Sequence, residues 1–184
     1  MTIRPRTHTP VPSNVLDLAL NGHGITEGVA VVGIRGFYKS LDGATTGENL
    51  TGVYDDAISI VTPQVCRTFI GNCDTSRTLE GRAVLQLGKY RYQRGTHGVT
   101  SDHPRPAWIQ SSGVLIRRVQ ADGSLGPELK DQWIGLNIHD GSQTTTGSAG
   151  CQTIAPEEWK DFDAMLDNAL RAAAQTAFWY VLTA

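Results

Sequence analysis

Hydrophobic positions near both ends of the chain recur with the spacing of an α-helix. Near the start they predict a short helix from Asn14 to Leu20, with Ser13 as its N-cap and Asn21-Gly22 as its stop. Near the end, Pro156 suits the first position of a long helix that continues to about Gln175. The apolar residues of this second helix return every three or four positions, at Trp159, Phe162, Leu166, Ala169 and Leu170.

Outside the two helices the pattern is that of β-strands. Runs of β-branched, aromatic and alternating residues predict strands over 28–38, 56–62, 83–87, 89–93, 114–119, 132–138 and 177–183. Two segments rich in glycine, proline and polar residues, 39–51 and 94–108, predict loops, and the proline-rich residues 1–12 predict an extended arm. Residues 13–184 are therefore predicted to form one β-rich α+β domain. Its sheet is expected to be mixed but mostly antiparallel, and to form a sandwich or a partly open barrel.

Composition and charge narrow the class of protein. The chain has 184 residues, of which 40% are hydrophobic and 18% charged, so it can bury one core. The net charge of −2 argues against a nucleic-acid partner. No apolar run has the length of a signal-peptide core or of the ~20-residue membrane span. We therefore expect synthesis in the cytoplasm without a signal peptide and no membrane insertion, so that a substrate outside the membrane would require release or delivery.

Three cysteines leave at least one free thiol, because their number is odd. Cys66 and Cys73 lie seven positions apart in a stretch rich in turn-forming residues, so they could pair only if the strand folds back, and we expect both to be reduced or at most weakly linked. The sequence contains no Cys-x-x-Cys pair, so a structural zinc site built from paired thiolates is not expected.

Cys151 stands in surroundings that differ from those of the other two cysteines. A strand is predicted to end at His139, Gly141 lets the chain turn, and residues 142–150 contain no large apolar side chain. A loop of this length can fold back and set the imidazole against the thiol. A free thiol has a pKa of about 8.5, and a hydrogen-bonded histidine can take its proton. We therefore predict Cys151 as a nucleophile and His139 as its general base.

Backbone groups around the cysteine complete the predicted site. Gly150 lets the backbone approach closely, and its amide and that of Cys151 are predicted to form an oxyanion hole. Asp140 is the nearest group that can orient His139, through its side chain or its carbonyl. A buried structural cysteine is the alternative, but such a residue does not need a polar tract before it.

A metal centre is a second interpretation of the histidines. His97, either Asp102 or His103, and His139 could supply three zinc ligands, although their spacing matches no metallopeptidase motif. His97 is better explained as a residue that lines the substrate pocket, with a solvated loop histidine as the alternative.

Other side chains are candidates for substrate contacts. Arg94 and Arg105 can bind a peptide carboxylate through two parallel hydrogen bonds. Tyr54 and Trp108 can form walls of a cleft, although aromatic residues at such positions are also typical of a core.

The segment from Asn137 to Ile154 resembles the signature of the L,D-transpeptidase catalytic domain family. It is closer still to a phage-encoded branch, in which an Asn-Ile-His strand end and a glycine/threonine loop precede a Ser-x-Gly-Cys-Gln-Thr-Ile block. The resemblance covers roughly residues 28–165. The similar positions outside the segment are Gly135, Pro156, Trp159, Ile34 to Tyr38, Val53 to Ala57 and Tyr90 to Gly98.

This resemblance implies an L,D-transpeptidase-like fold and a cysteine enzyme that acts on the stem peptides of bacterial peptidoglycan. The reaction would pass through an acyl thioester and require no cofactor or metal. The nucleophile carries over onto Cys151, the base onto His139, the histidine-orienting carbonyl onto Asp140, and the oxyanion hole onto Gly150 and Cys151. The residues expected to contact substrate are His97, Ser148, Tyr54 and Arg94.

Two positions depart from the family pattern. Ala149 stands where many members have histidine, and Thr153 stands where many have arginine or asparagine. Both bear on the acyl acceptor more than on the nucleophile. Water as acceptor gives an endolysin-like endopeptidase or carboxypeptidase, which the phage-like pattern favours, whereas an amine gives a transpeptidase. A secreted antibacterial effector with the same chemistry and a non-catalytic wall-binding or virion structural domain are the alternatives.

Overall fold

Eight strands close into a barrel in the computed structural model, which describes residues 4–5, 7–41, 44–45 and 49–184. In chain order the elements are α1 (Ser13–Gly22), β1 (Ala30–Ile34), β2 (Ser40–Leu41), β3 (Ala44–Thr45), β4 (Asp56–Val61), β5 (Cys66–Asn72), β6 (Ala83–Leu85), β7 (Gly88–His97), β8 (Arg105–Gln110), β9 (Val114–Arg118), β10 (Leu129–Gln132), β11 (Ile138–Asp140), β12 (Gln152–Ile154), α2 (Pro156–Ala172) and β13 (Ala177–Thr183). The barrel order is β1-β13-β7-β8-β11-β12-β5-β4, and β4 pairs again with β1. Separate sheets are formed by β10-β9-β6 and by β2-β3.

Two of the pairings in the barrel are parallel, β1 with β13 and β11 with β12, and the other six are antiparallel. The β11–β12 pair decides the position of the site. Ile138 pairs with Gln152 and His139 with Thr153. Because parallel neighbours start at the same end, the residue before β12 lies beside the residue before β11. Cys151 is therefore brought next to Asn137.

Apolar contacts on both sides of the sheet hold the two helices. All five residues of β1 are buried. Val31 belongs to the core cluster that includes Phe162 of α2, and Val32 belongs to the cluster that includes Leu16 of α1. Phe162 also meets Phe69 edge to face, with ring centroids 5.2 Å apart. Each fully buried side chain of this kind contributes roughly 1.5–3 kcal/mol, whereas neither helix has a side-chain hydrogen bond at its N-cap.

The coarse predictions from the sequence are confirmed. The fold is α+β and β-rich, with two helices and a large mixed sheet that is mostly antiparallel. Strands predicted over 56–62, 114–119 and 177–183 occur as β4, β9 and β13, and the long helix occurs as α2.

Several finer predictions are wrong. The sheet is a closed barrel, not a sandwich or a partly open barrel. The predicted loop 94–108 contains the end of β7 and the start of β8, which pair from Tyr92 with Gln110 to His97 with Arg105. β5 and β12 were not predicted, and of the strand expected over 132–138 only the first residue, in β10, and the last, in β11, lie in strands.

The start of the chain packs against the barrel. Val11 is buried and its N–H donates to Thr68 Oγ1 over 2.9 Å, and Arg4 forms an ion pair with Glu157. Pro12 holds the N-cap position of α1 that was predicted for Ser13.

Residues 1–3 and 6 of the predicted arm, and residues 42, 43 and 46–48 of the predicted 39–51 loop, lie outside the described residues. Within the described part of that loop, β2 and β3 replace the predicted coil.

No helix within the described ranges is both long and apolar enough to cross a membrane.

Candidate active site

Backbone groups of the segment before β11 hold the Cys151 thiol. The N–H of Asn137 donates to Sγ over 3.4 Å, and the thiol donates to the carbonyl of Gly135 over 3.6 Å. The adjacent Gln152 N–H donates to the Asn137 carbonyl over 2.9 Å. Cys151 is only 5% exposed, so the sulfur is largely shielded from water.

His139 lies in the middle of β11 and is buried. Its Nδ1 is 2.6 Å from the carbonyl oxygen of Asp140. Because a carbonyl oxygen can only accept, Nδ1 carries the proton of the neutral ring and Nε2 keeps its lone pair. The Asp140 carboxylate is farther away, with Oδ1 3.9 Å from Nδ1, and pairs with Arg105 Nε at 3.2 Å. Of the two Asp140 groups considered from the sequence, the carbonyl therefore makes the orienting contact.

The predicted nucleophile and base lie close together, and His97 joins them. Sγ of Cys151 and one ring nitrogen from each of His97 and His139 all lie within 4.8 Å of one another. The two imidazole rings have centroids 4.3 Å apart and planes inclined by 32°. His97 reaches this position from the end of β7, in the segment where the sequence predicts a loop. The three side chains therefore come from three different strands or strand ends.

Burial keeps this pair uncharged at rest. Burial, with smaller contributions from the neighbouring His97 and Arg105, lowers the pKa of His139 from 6.5 to about 3, against the opposing effect of the hydrogen bond to the Asp140 carbonyl. Burial also raises the pKa of the Cys151 thiol, although the Asn137 N–H and the charge of Arg105 partly oppose this. The resting pair is therefore a neutral imidazole and a neutral thiol, and the proton moves only when a substrate is attacked.

The loop from β11 to β12 is anchored at several points. Ser148 Oγ donates to the Cys151 carbonyl over 2.6 Å and accepts from the Gly150 N–H over 2.9 Å, and the Ser148 N–H donates to Ser76 Oγ over 2.6 Å. Ser76 also bonds to Thr146 through their hydroxyl groups at 2.7 Å. Ser148 is buried and its polar groups are engaged within the protein. We therefore assign it to shaping the turn before Cys151 instead of the predicted substrate contact.

Gly150 is required by both backbone conformation and close packing. Its φ is +143°, and a Cβ at this position would lie 2.6 Å from the Ala83 carbonyl oxygen and 2.8 Å from Leu136 Cδ2. This agrees with the predicted close approach of the backbone. However, the Gly150 N–H donates to Ser148, so in this structure the protein itself occupies one of the two predicted oxyanion donors.

The variant Gly150→Ala is expected to lower the free energy of unfolding by about 3 kcal/mol or more, because backbone strain adds to a steric overlap. Gly123→Ala is the matched control, since Gly123 has φ +82° but open space around its Cβ position. There the loss is expected to be about 1 kcal/mol. Urea unfolding of the two variants checks the difference, and equal losses would contradict the overlap with Ala83.

Tyr54 supports the other end of the same loop. Its hydroxyl donates to the Ser142 carbonyl over 3.0 Å and accepts from the Ser142 N–H over 2.9 Å. A Cβ at Gly141 would lie 1.9 Å from this hydroxyl, so the tyrosine is packed directly under the turn. Tyr54 is 2% exposed, and it therefore holds the loop in place instead of forming the predicted cleft wall. Trp108, the other proposed wall, is a core residue at 1% exposure.

The two arginines considered for carboxylate binding differ in their surroundings. Arg94 forms a two-pronged ion pair with Asp163 of α2 and lies over the Trp108 ring at 4.9 Å. Its guanidinium thus joins α2 to the barrel, and the substrate contact predicted for it stays a prediction. Arg105 lies opposite His97 in the register of β7 and β8. The charge of Arg105 lowers the pKa of both His97 and His139. Arg105 is therefore the arginine that lies at the candidate site.

The predicted zinc alternative is not supported by the positions of its ligands. Asp102 and His103 are exposed in the connection between β7 and β8. Within the part of the chain that the structure describes, the one group of potential metal ligands is His97, His139 and Cys151. In this group the Nδ1 atom of each histidine already has a protein partner, which leaves Nε2 on each ring.

Gln110 has no predicted role, and Asn137 enters the predictions only as part of a motif. Asn137 contacts both Cys151 and His97, and Gln110 accepts the N–H groups of Gly135 and Leu136 at 3.1 and 3.2 Å. The signal that could have singled out Asn137 is its position two residues before His139, because alternate residues of an extended segment point to the same side.

Comparisons with protein-family models, with curated proteins and with solved structures found no match.

Proposed function

We propose that this chain is a cysteine-dependent acyl-transfer enzyme that cleaves the stem peptides of bacterial peptidoglycan, with an L,D-transpeptidase-like fold and an endolysin-like lytic role. The observation that carries the proposal is the buried His139–Cys151 pair, in which the Asp140 carbonyl leaves Nε2 of the histidine as the proton acceptor. The resemblance of residues 137–154 to the L,D-transpeptidase signature supports the choice of substrate.

The mechanism follows from the tautomer of His139. Nε2 takes the proton of the Cys151 thiol as sulfur attacks the carbonyl carbon of a peptide bond. The tetrahedral intermediate collapses when the C–N bond breaks and the imidazolium gives its proton to the leaving amine. Water, deprotonated by the same Nε2, then attacks the thioester, and the thiolate leaves and recovers the proton. Nδ1 remains hydrogen-bonded to the Asp140 carbonyl throughout, which keeps the ring in one orientation.

Local charge around the site suits an acidic peptide. A cavity of about 330 Å³ beside the Cys151 loop is lined by Ala149, Ser148, Arg77 and Arg82, among others. Arg105 lies at the site from the β8 side. Stem peptides carry free carboxylates, and arginine binds such groups through paired hydrogen bonds. These arginines therefore support an acidic peptide substrate. Their positive charge is local, because the whole chain has a net charge of −2.

The test is digestion of purified sacculi followed by mass spectrometry of the released muropeptides. The wild type is expected to release products cut at one stem-peptide bond, and Cys151→Ala is expected to release none. A parallel incubation with a chelator should leave cleavage by the wild type unchanged. Equal digestion by the wild type and Cys151→Ala would sink the proposal, and loss of activity with chelator would favour a metal enzyme.

Transpeptidation is the second candidate function, and the resemblance of residues 137–154 to the L,D-transpeptidase signature favours it. An amine from a second stem peptide would then be the acceptor, and the His139 Nε2 would deprotonate it as it deprotonates water in hydrolysis. The same muropeptide analysis separates the two functions, because transpeptidation yields new cross-linked or exchanged products.

A further inference from the structure

Asn137 connects the cysteine to the neighbouring histidine through two different groups. Its backbone N–H donates to Cys151 Sγ at 3.4 Å, and its side-chain Nδ2 is 3.0 Å from His97 Nδ1. The orientation of the side-chain amide is fixed from its other end, because the Gln110 N–H donates to Asn137 Oδ1 over 3.1 Å. An amide that accepts at Oδ1 presents its NH₂ group to His97.

This orientation sets the tautomer of His97. Since the Asn137 NH₂ can only donate, His97 Nδ1 must be the acceptor, and the proton of the neutral ring sits on Nε2. Burial and the charge of Arg105 lower the pKa of His97, with the Asp140 carboxylate opposing them, so the neutral ring is favoured. His139 is held in the opposite tautomer by the Asp140 carbonyl. The two neighbouring histidines are therefore held in opposite tautomers, so that one ring offers an acceptor at Nε2 and the other a donor at Nε2.

A side-chain hydrogen-bond donor is needed beside the Cys151 sulfur, because one of the two backbone N–H groups predicted for the oxyanion hole is already bonded within the protein. The Gly150 N–H is already bonded to Ser148 Oγ, and the Asn137 N–H is bonded to the sulfur itself. A ring nitrogen of His97 lies within 4.8 Å of Sγ. That separation leaves room for an acyl oxygen between the sulfur and an N–H donor, given a hydrogen bond of about 2.9 Å.

We infer that His97, held as the Nε2–H tautomer by Asn137, is a catalytic hydrogen-bond donor to the carbonyl oxygen of the acyl group that forms on Cys151. Asn137 is the positioning residue, and Gln110 fixes the direction of its amide. The inference rests on the proposed function for its substrate, but not for the tautomer. The same tautomer disfavours metal coordination by His97 through Nε2, because coordination there would place a proton on Nδ1 opposite the Asn137 NH₂ group.

The tautomer is measured first, in the wild-type protein without substrate, from the ¹⁵N chemical shifts of the imidazole nitrogens. His97 is expected to be protonated on Nε2 and His139 on Nδ1. The isosteric variant Asn137→Asp replaces the donor by an acceptor, and His97 is expected to change to the Nδ1–H form. A wild-type His97 that carries its proton on Nδ1 overturns the inference, whatever the enzyme cleaves.

The rate of acylation is measured next, as the gain in mass of the protein treated with p-nitrophenyl acetate. Both His97→Ala and Asn137→Asp are expected to slow acetylation of Cys151 about 10²-fold, and His97→Gln, which keeps an N–H donor, about tenfold. His103→Ala, in the exposed connection next to β8, is the matched control and is expected to leave the rate unchanged. If His97→Ala acetylates as fast as the wild type, His97 is not the donor.

The two readouts also separate this inference from the proposed function. A protein that leaves sacculi intact, yet shows the expected tautomers and the slowed acetylation, refutes the peptidoglycan substrate and supports the His97 donor. A protein that digests sacculi equally well with and without the His97 imidazole refutes the donor and supports the substrate.

Discussion

A chain in which alanine replaces Cys151 is expected to lose at least about a thousandfold in the rate of stem-peptide cleavage, because no other group of the site can form the thioester. His139→Gln is expected to lose a similar factor, since an amide cannot accept the thiol proton. Intact-protein mass spectrometry during turnover should show an added acyl mass on the wild type and none on Cys151→Ala. Release of the same products by Cys151→Ala would contradict the nucleophile.

The double variant tests whether the two residues act as one unit. Residues of a nucleophile–base pair give strongly non-additive losses, so the double variant is expected to be no more than about threefold slower than either single one. Cys66→Ala and His103→Ala serve as controls, because both residues are exposed and lie outside the site. If the two single losses instead multiply in the double variant, His139 acts independently of the thiol and the general-base role fails.

The core of the site could be predicted because its signals are local in the sequence. A strand end at His139, a polar return loop and the cysteine that follows it are all contained in residues 138–154. The structure adds the reason that this arrangement works, which is the parallel register of β11 and β12. Register depends on pairing with β8 and β5 on either side, and a single segment carries little information about those partners.

His97 shows where local signals fail. Glycine at position 95 and the prolines and glycine that follow indicated a loop, yet β7 continues to His97 and pairs with β8. The strand needs glycine at position 95, because a Cβ there would lie 2.6 Å from Ile109 Cδ1 of the neighbouring strand β8. The glycine marks close packing between strands and not a turn, and only the tertiary structure distinguishes the two.

Ser148, Tyr54 and Arg94 show a second limit, which is the direction of a side chain. Each is a residue type that often binds substrate, and each lies near the site in space or in sequence. The hydroxyl groups of Ser148 and Tyr54 form hydrogen bonds with the segment that leads to Cys151. Arg94 forms an ion pair with Asp163, about 70 residues later in the chain. The partners of Tyr54 and Arg94 are remote in the sequence and leave no trace in local patterns.

Acidification is the second condition under which a large effect is expected. The pKa of His139 is lowered from 6.5 to about 3 in the folded protein, chiefly by burial. A histidine whose pKa is lowered by folding stabilises the folded protein fully above pH 6.5. This contribution is lost as the pH falls toward 3, because the unfolded chain takes up the proton first. At pH 4.5 the loss from this residue is about 3 kcal/mol relative to pH 7.5.

Asp55 acts in the opposite direction over an overlapping range. Burial raises its pKa from 3.8 to about 6, and the nearby Asp74 adds to this against the N–H of Leu50. The stability it contributes is complete below 3.8 and is lost as the pH rises through about 6. The wild type alone therefore reports a sum, and the effect of His139 must be taken as a difference between two proteins that share Asp55.

The comparison is between the wild type and His139→Gln, with the free energy of unfolding measured by urea at pH 7.5 and pH 4.5. The wild type is expected to lose about 3 kcal/mol more than the variant between these two conditions. The variant Asp55→Asn lacks the stabilisation that protonation of Asp55 gives the wild type at low pH. Its free energy of unfolding is therefore expected to fall more steeply between pH 7.5 and pH 4.5 than that of the wild type. Parallel losses in the wild type and His139→Gln would mean that His139 ionises freely in the folded protein. Burial would then not hold the imidazole of His139 neutral below its ordinary pKa of 6.5.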